Sequence, residues 1–107
     1  MGDVVNFAVG LDRREECLVV RVEGELDLAS APEFETALST AESAPHLVID
    51  LSACPFLDSA GMRVIAQAIR HAPRASIVAT DPGVLRVFEI TSVDTMVSVY
   101  ASVEEAL

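Results

Sequence analysis

One hydroxyl group in this chain stands at a place where chemistry is often done. Ser59 follows the apolar run Leu47 to Leu51 in HLVIDLSACPFLDSAG and opens the amphipathic stretch GMRVIAQAIR, which sets it at a strand-to-helix junction. An acid, Asp58, precedes it, and two small residues, Ala60 and Gly61, follow. The ordinary use of a serine there is to cap the helix by accepting a backbone N–H bond. The other use is as the acceptor of a group transferred by a second protein, because small neighbours leave the hydroxyl uncovered and let another active site approach the backbone. Asp58 carries the same pair of readings, a cap or a contact to that second protein.

Chemistry performed by the chain itself is disfavoured. A nucleophilic serine needs a base within hydrogen-bond reach, and LDSAG lacks the glycine that begins a Gly-x-Ser-x-Gly elbow. His46 begins the strand that Ser59 follows, so the two belong to opposite edges of a sheet; His46 and His71, both at element ends, read as surface histidines. No Gly-x-x-x-x-Gly-Lys-(Ser/Thr) segment is present, and there is no lysine to hold phosphates, which argues against nucleotide binding. Cys17 and Cys54 match no zinc or Cys-x-x-Cys spacing. If their strands run parallel they lie about 20 Å apart, at roughly 3.3 Å per residue over about six residues, whereas a disulfide needs Cα atoms within about 7 Å. They read as small buried hydrophobes in a reducing cytosol. No catalytic residue, cofactor or metal is expected.

The elements that must position Ser59 follow from periodicity. Phe7, Val9 and Leu11 alternate with small or polar residues as a half-buried strand, and DRREE makes a charged turn. Leu18 to Glu23 is a second strand, with Leu18, Val20 and Val22 on one face and Gly24 at its end. Ser30-Ala31-Pro32-Glu33 predicts a capping box with proline inside the first turn, ahead of Phe34, Leu38 and Ala41 at helical spacing. Leu47 to Leu51, apolar apart from Asp50, predicts a central parallel strand covered on both faces. In the helix after Ser59 the buried stripe is Met62, Ile65, Ala66 and Ile69; Arg63, Gln67 and Arg70 take the solvent side, and Pro73 ends it. Arg63 and Arg70 lie two turns apart on one face, solvated or paired to acids of this chain or a partner.

Ala75 to Ala79 is a fourth strand, and Asp81-Pro82 pairs an N-cap with a helix-starting proline before Val84, Leu85 and Phe88. Met96 to Ala101 is a fifth strand, and Ser102-Val103-Glu104-Glu105 caps a stub of helix. Alternating helix and strand implies parallel pairing with right-handed crossovers that wind the chain progressively across the sheet. The first strand should pair antiparallel at an edge, its turn being too short for a crossover. Function gathers at the carboxyl ends of the parallel strands in such a sheet. Those ends deliver Gly24-Glu25-Leu26-Asp27 and Asp58-Ser59-Ala60-Gly61 to one surface, where Asp27 is as readily a turn residue as a functional one.

At 107 residues, 51% of them hydrophobic, the chain has room for one domain and one core. No apolar segment approaches the roughly 18 to 20 residues that span a bilayer. MGDVVNFAVG has no basic region ahead of an apolar one, so a cytoplasmic protein is expected. Asn6 stands where a myristoylation signal wants Ser or Thr. A net charge of -10 repels phosphate backbones and anionic headgroups, which disfavours nucleic-acid and membrane partners. The acids serve solubility or steer the chain to a basic partner.

Over roughly residues 7 to 107 the chain resembles the STAS-domain anti-sigma factor antagonists, in which a partner kinase phosphorylates the serine of an Asp-Ser-(Ser/Ala)-Gly motif. Asp58-Ser59-Ala60-Gly61 carries that motif, and Gly24-Glu25-Leu26-Asp27 matches the element that family members place beside their switch serine. The resemblance implies an α/β fold: a single STAS domain with a mixed, mostly parallel five-stranded sheet wound with three to four helices, its core at 6–107 behind an N-terminal extension at 1–5. It implies phosphorylation of Ser59, with partner contacts from Gly24, Glu25, Asp27, Asp58, Ala60, Gly61 and Arg63. The implied partners are an anti-sigma factor of the histidine-kinase-like ATPase type, acting as serine kinase, and a metal-dependent serine phosphatase. Unphosphorylated, the protein would bind the anti-sigma factor and so release a sigma factor. The alternative with the same fold is a constitutive STAS subunit of a lipid-transport ATPase complex or a stress-signalling scaffold; the lack of spans argues against the transporters whose tails carry STAS domains. The departures are the short last helix and Ala60, where many relatives have a second serine.

Overall fold

The computed structural model of the protein describes residues 7–40 and 44–107. Five strands, β1 (Phe7–Arg14), β2 (Cys17–Gly24), β3 (His46–Ala53), β4 (Ala75–Val78) and β5 (Ser98–Tyr100), form one sheet in chain order. β1 pairs antiparallel with β2 at the edge, and the other neighbours are parallel. Helices α1 (Ala31–Thr40), α2 (Ser59–His71) and α3 (Pro82–Thr91) make the crossovers, the last of them followed by a 3-10 turn at Val93–Thr95. The stub helix α4 (Val103–Ala106) closes the described chain, with Ser102 Oγ accepting from the Glu105 N–H at 3.3 Å. The five-stranded α/β plan is the expected one.

Strand alternation divides the core between two faces. Leu18, Val20 and Val22 of β2, Ile49 and Leu51 of β3 and Ile77 of β4 cluster with Phe34 of α1, Met62 and Ile65 of α2, and Val84 and Phe88 of α3. Each fully buried large side chain here contributes roughly 1.5–3 kcal/mol. On the other face Val19, Val48 and Val78 pack against Ala106, Val103 and Tyr100. β3 is mostly apolar, and buried from Val48 to Leu51, because both faces are covered there, and its one acid, Asp50, accepts from the Ser52 N–H at 3.0 Å.

Several local expectations give way to tertiary contacts. β1 runs on through Asp12-Arg13-Arg14, which the sequence assigned to the turn, and Arg14 pairs with Cys17. Only Glu15 and Glu16 are left between the strands, with Glu15 in the left-handed region at φ 56. An edge strand tolerates this charge because its outer side meets water, and Arg14 pairs with Asp12 at 2.9 Å. Leu11 is exposed on that edge rather than half-buried. Ser30 does not form the expected capping box: its hydroxyl donates to the Glu25 carbonyl at 2.7 Å and accepts from the Asp27 N–H at 2.9 Å. Of the stripe expected on α2, Met62 and Ile65 are buried, with Val64, while Ala66 and Ile69 are half-buried; β5 is shorter than Met96 to Ala101, and Ala41, Asn6 and the 1–5 extension lie outside the described residues. His46 is no surface histidine. It is 4% exposed, because the first residue of a central strand is covered by its neighbours on β2 and β4.

Candidate functional site

Asp58, not Ser59, caps α2. Asp58 has extended backbone (φ -108, ψ -173), and its Oδ1 accepts from the N–H groups of Ala60 at 2.9 Å and Gly61 at 3.1 Å. That satisfies two of the donors a helix start leaves without partners. Ser59 is the first helical residue and is exposed; among the described residues no side chain or carbonyl bonds its hydroxyl. The common explanation for a serine at a helix start therefore does not apply to it.

The two motifs form one surface through backbone pairing beyond the strands. Leu26 and Leu57 make a parallel bridge, with the Leu26 N–H donating to the Phe56 carbonyl at 3.0 Å and the Asp58 N–H donating to the Leu26 carbonyl at 3.2 Å. The Leu28 N–H then donates to the second Asp58 oxygen at 3.1 Å, so one carboxylate ties the β2–α1 loop to the start of α2. Gly61 is buried against this bridge. A Cβ there would lie 2.7 Å from Leu26 Cγ and 2.8 Å from the Leu26 carbonyl oxygen. Its missing side chain serves the chain's own packing, contrary to the expectation that it opens the backbone to another protein.

Gly24 turns the chain out of β2 at φ 102, a conformation glycine adopts without the cost other residues bear. Asp27 is a turn residue in the structure: its Oδ1 accepts from the N–H groups of Ala29 at 3.0 Å and Ser30 at 3.1 Å. Glu25 is exposed and Ala60 half-buried. Arg63 is exposed four residues after Ser59, hence on the same helix face, and among the described residues neither it nor Arg70 makes an ion pair.

Around Ser59 the surface is acidic and partly apolar. Burial pushes the Cys54 thiol up, and the negative charges of Asp81 and Glu25 add to the shift. Cys54 Sγ donates to the Phe56 carbonyl at 3.1 Å. Two large apolar side chains stand in water beside the acids, Leu28 at 73% and Phe56 at 48% exposure. Neither is marked in the sequence, since an apolar residue in a loop gives no periodic signal. His71 is at the far end of α2, its ring bonded to the Gln67 carbonyl, so no histidine is placed beside Ser59. Among the described residues no three His, Cys, Asp or Glu side chains group to hold a metal, and no helix is long and apolar enough to cross a membrane.

The STAS domain family model matches residues 8–106. Over 94 residues the chain is 30% identical to the anti-sigma-F factor antagonist RsfB of Mycobacterium tuberculosis, covering 83% of this chain and 77% of that protein. An anti-sigma factor antagonist from Mycobacterium paratuberculosis superposes with a TM-score of 0.88 at 31% identity, over 94% of this chain and 90% of its own. The anti-sigma factor antagonist SpoIIAA of Bacillus, in its unphosphorylated form, superposes with a TM-score of 0.77 at 25% identity, over 92% of each chain.

Proposed function

The chain belongs to the STAS domain family, and from that premise we propose that it is a cytoplasmic anti-sigma factor antagonist, itself not an enzyme, switched by phosphorylation of Ser59. One observation carries the reading: capping is done by Asp58, so the Ser59 hydroxyl is exposed with no structural duty. Support comes from RsfB, an antagonist of an anti-sigma-F factor, and from SpoIIAA, which has unphosphorylated and phosphorylated forms. Unphosphorylated, the surface of Glu25, Asp27, Asp58, Ala60 and Arg63 binds an anti-sigma factor of the ATPase-kinase type, which then gives up its sigma factor. Gly24 and Gly61 act there through the backbone they shape.

The same partner transfers the γ-phosphoryl of ATP. The Ser59 oxygen bonds to phosphorus, the bond to ADP breaks, and the serine proton passes to a base of the kinase, since among the described residues no side chain bonds the Ser59 hydroxyl. A metal-dependent serine phosphatase restores the hydroxyl by hydrolysis. Phosphate adds roughly 1.5 to 2 negative charges, which must be desolvated or repelled at the interface.

Incubation with the cognate anti-sigma factor and ATP, followed by peptide mapping by mass spectrometry, tests the proposal. Stoichiometric phosphate is expected on Ser59, with Ser30 and Ser52 unlabelled. Ser59→Ala should remove labelling and preserve binding; labelling that survives it would sink the assignment. Tight binding without any phosphorylation would favour the constitutive subunit instead.

A further inference from the structure

At the edge of the sheet opposite Ser59, three polar side chains from adjacent strands meet. Cys17 opens β2, His46 opens β3 and Ser76 lies in β4, all on the face that carries α4. Cys17 Sγ is 3.2 Å from His46 Nδ1, and His46 Nε2 is 2.8 Å from Ser76 Oγ. The imidazole and the Ser76 hydroxyl are buried, whereas Cys17 is half-buried and faces a cavity of about 640 Å³. Arg14, Glu15 and Glu16 from the β1–β2 turn, Arg74 from before β4 and Leu107 from after α4 complete its lining.

A thiol beside a base that is itself held by a third group is the arrangement that nucleophilic cysteines use. With the thiol donating to Nδ1, the ring proton sits on Nε2 and Ser76 Oγ accepts it, which fixes both tautomer and ring orientation. Burial and the Arg74 cation hold the imidazole below its ordinary range, so the ring is in the neutral form that can take a proton. Cys54 is the internal contrast: it is buried, and its thiol donates to a carbonyl rather than to a base. A cavity of this size admits a small molecule rather than a protein segment.

We propose that Cys17 is a base-assisted nucleophilic thiol, the site at which this chain takes up a low-molecular-weight thiol from its disulfide. His46 Nδ1 removes the Cys17 proton as Sγ attacks one sulfur of the disulfide. The new Cys17 S–S bond forms as the old S–S bond breaks, and the departing thiolate takes the proton from the imidazolium and leaves as a thiol. Cys17 is thereby oxidised to a mixed disulfide, and one half of the small disulfide is reduced.

The test uses the intact folded chain and hydroxyethyl disulfide, an uncharged probe, with exchange rates read by mass spectrometry at pH 9.5 and pH 7.0. An unassisted thiol, ionising near 8.5, slows about thirtyfold over that interval as its thiolate fraction falls. Cys17 should slow less than tenfold, and Cys54 should stay unmodified until the protein is unfolded. His46→Gln should bring back the steep dependence, and Ser76→Ala should do so in part. A tenfold or greater slowing of wild-type Cys17, modification of Cys54 ahead of it, or an equally shallow profile in folded His46→Gln overturns the proposal. If His46→Gln does not fold, the wild-type profile decides alone.

Discussion

Asp58 and Gly61 divide the work at the start of α2 between polar and steric roles. Asp58 accepts three backbone N–H bonds, and Gly61 lets Leu26 approach closely enough for one of them to form. Gly61→Ala should therefore destabilise the fold by about 1–3 kcal/mol, as other overpacked sites do. That exceeds the roughly 0.5–1 kcal/mol alanine gains over glycine inside a helix. A urea melt with wild-type stability would show that Leu26 gives way. His46 makes a prediction of a different sign. Its imidazole is held below the ordinary value by burial and by Arg74, with Cys17, Ser76, Arg14, Glu15 and Glu16 as the other groups around it. As pH falls below the unfolded value near about 6.5, the unfolded chain binds a proton the folded chain refuses. This contribution to stability is full above that pH and is lost below it. The urea midpoint should drop between pH 7.5 and pH 5.5, and His46→Gln should flatten the drop; identical slopes in both proteins would refute the linkage.

At the scale of the element, α2 is built to tolerate a phosphate at its first residue. The positive end of the helix dipole stabilises an anion there, and Arg63, four residues on, can reach it from the same face. Asp58 opposes the added charge, but at an exposed position salt and solvent screen that repulsion. Phosphorylated protein should melt within a few degrees of the unmodified form. Arg63→Ala should cost the phosphorylated protein about 0.5 kcal/mol more than the unmodified one. Calorimetry of the four species measures this coupling directly, and equal effects of Arg63→Ala in both states would place the arginine away from the phosphate.

The molecule as a whole presents one acidic, partly apolar end. Leu28 in the β2–α1 loop and Phe56, three residues before Ser59, are both exposed, and large apolar side chains at the centre of an interface carry much of its affinity. Leu28→Ala and Phe56→Ala should each weaken anti-sigma factor binding about tenfold, mainly by faster dissociation. The net charge of -10 should act instead on the association rate, which falls with added salt. Stopped-flow association and dissociation rates separate the two effects. If both alanine variants dissociate at the wild-type rate, the interface lies elsewhere on the surface.

Periodicity determined most of the architecture in advance. Alternation in β2, the apolar run of β3 broken only by Asp50, the Asp81-Pro82 helix start and the helix stripe of Met62 and Ile65 are local patterns, and local patterns fix the type of an element and, through the order of elements, the sheet. The Asp-Ser-Ala-Gly segment at a strand-to-helix junction was likewise visible in the sequence. The division of labour within it was not. That Asp58 caps while Ser59 stays free, that Gly61 is buried, that Ser30 braces a loop instead of its own helix, and that Cys17, His46 and Ser76 touch were all decided by the folded chain. The Leu28 to Asp58 bond and the His46 to Ser76 contact join residues 30 apart in sequence, and the Cys17 to His46 contact joins residues 29 apart. Such contacts depend on the register between strands, and a shift of one residue would turn each of these strand side chains to the other face of the sheet.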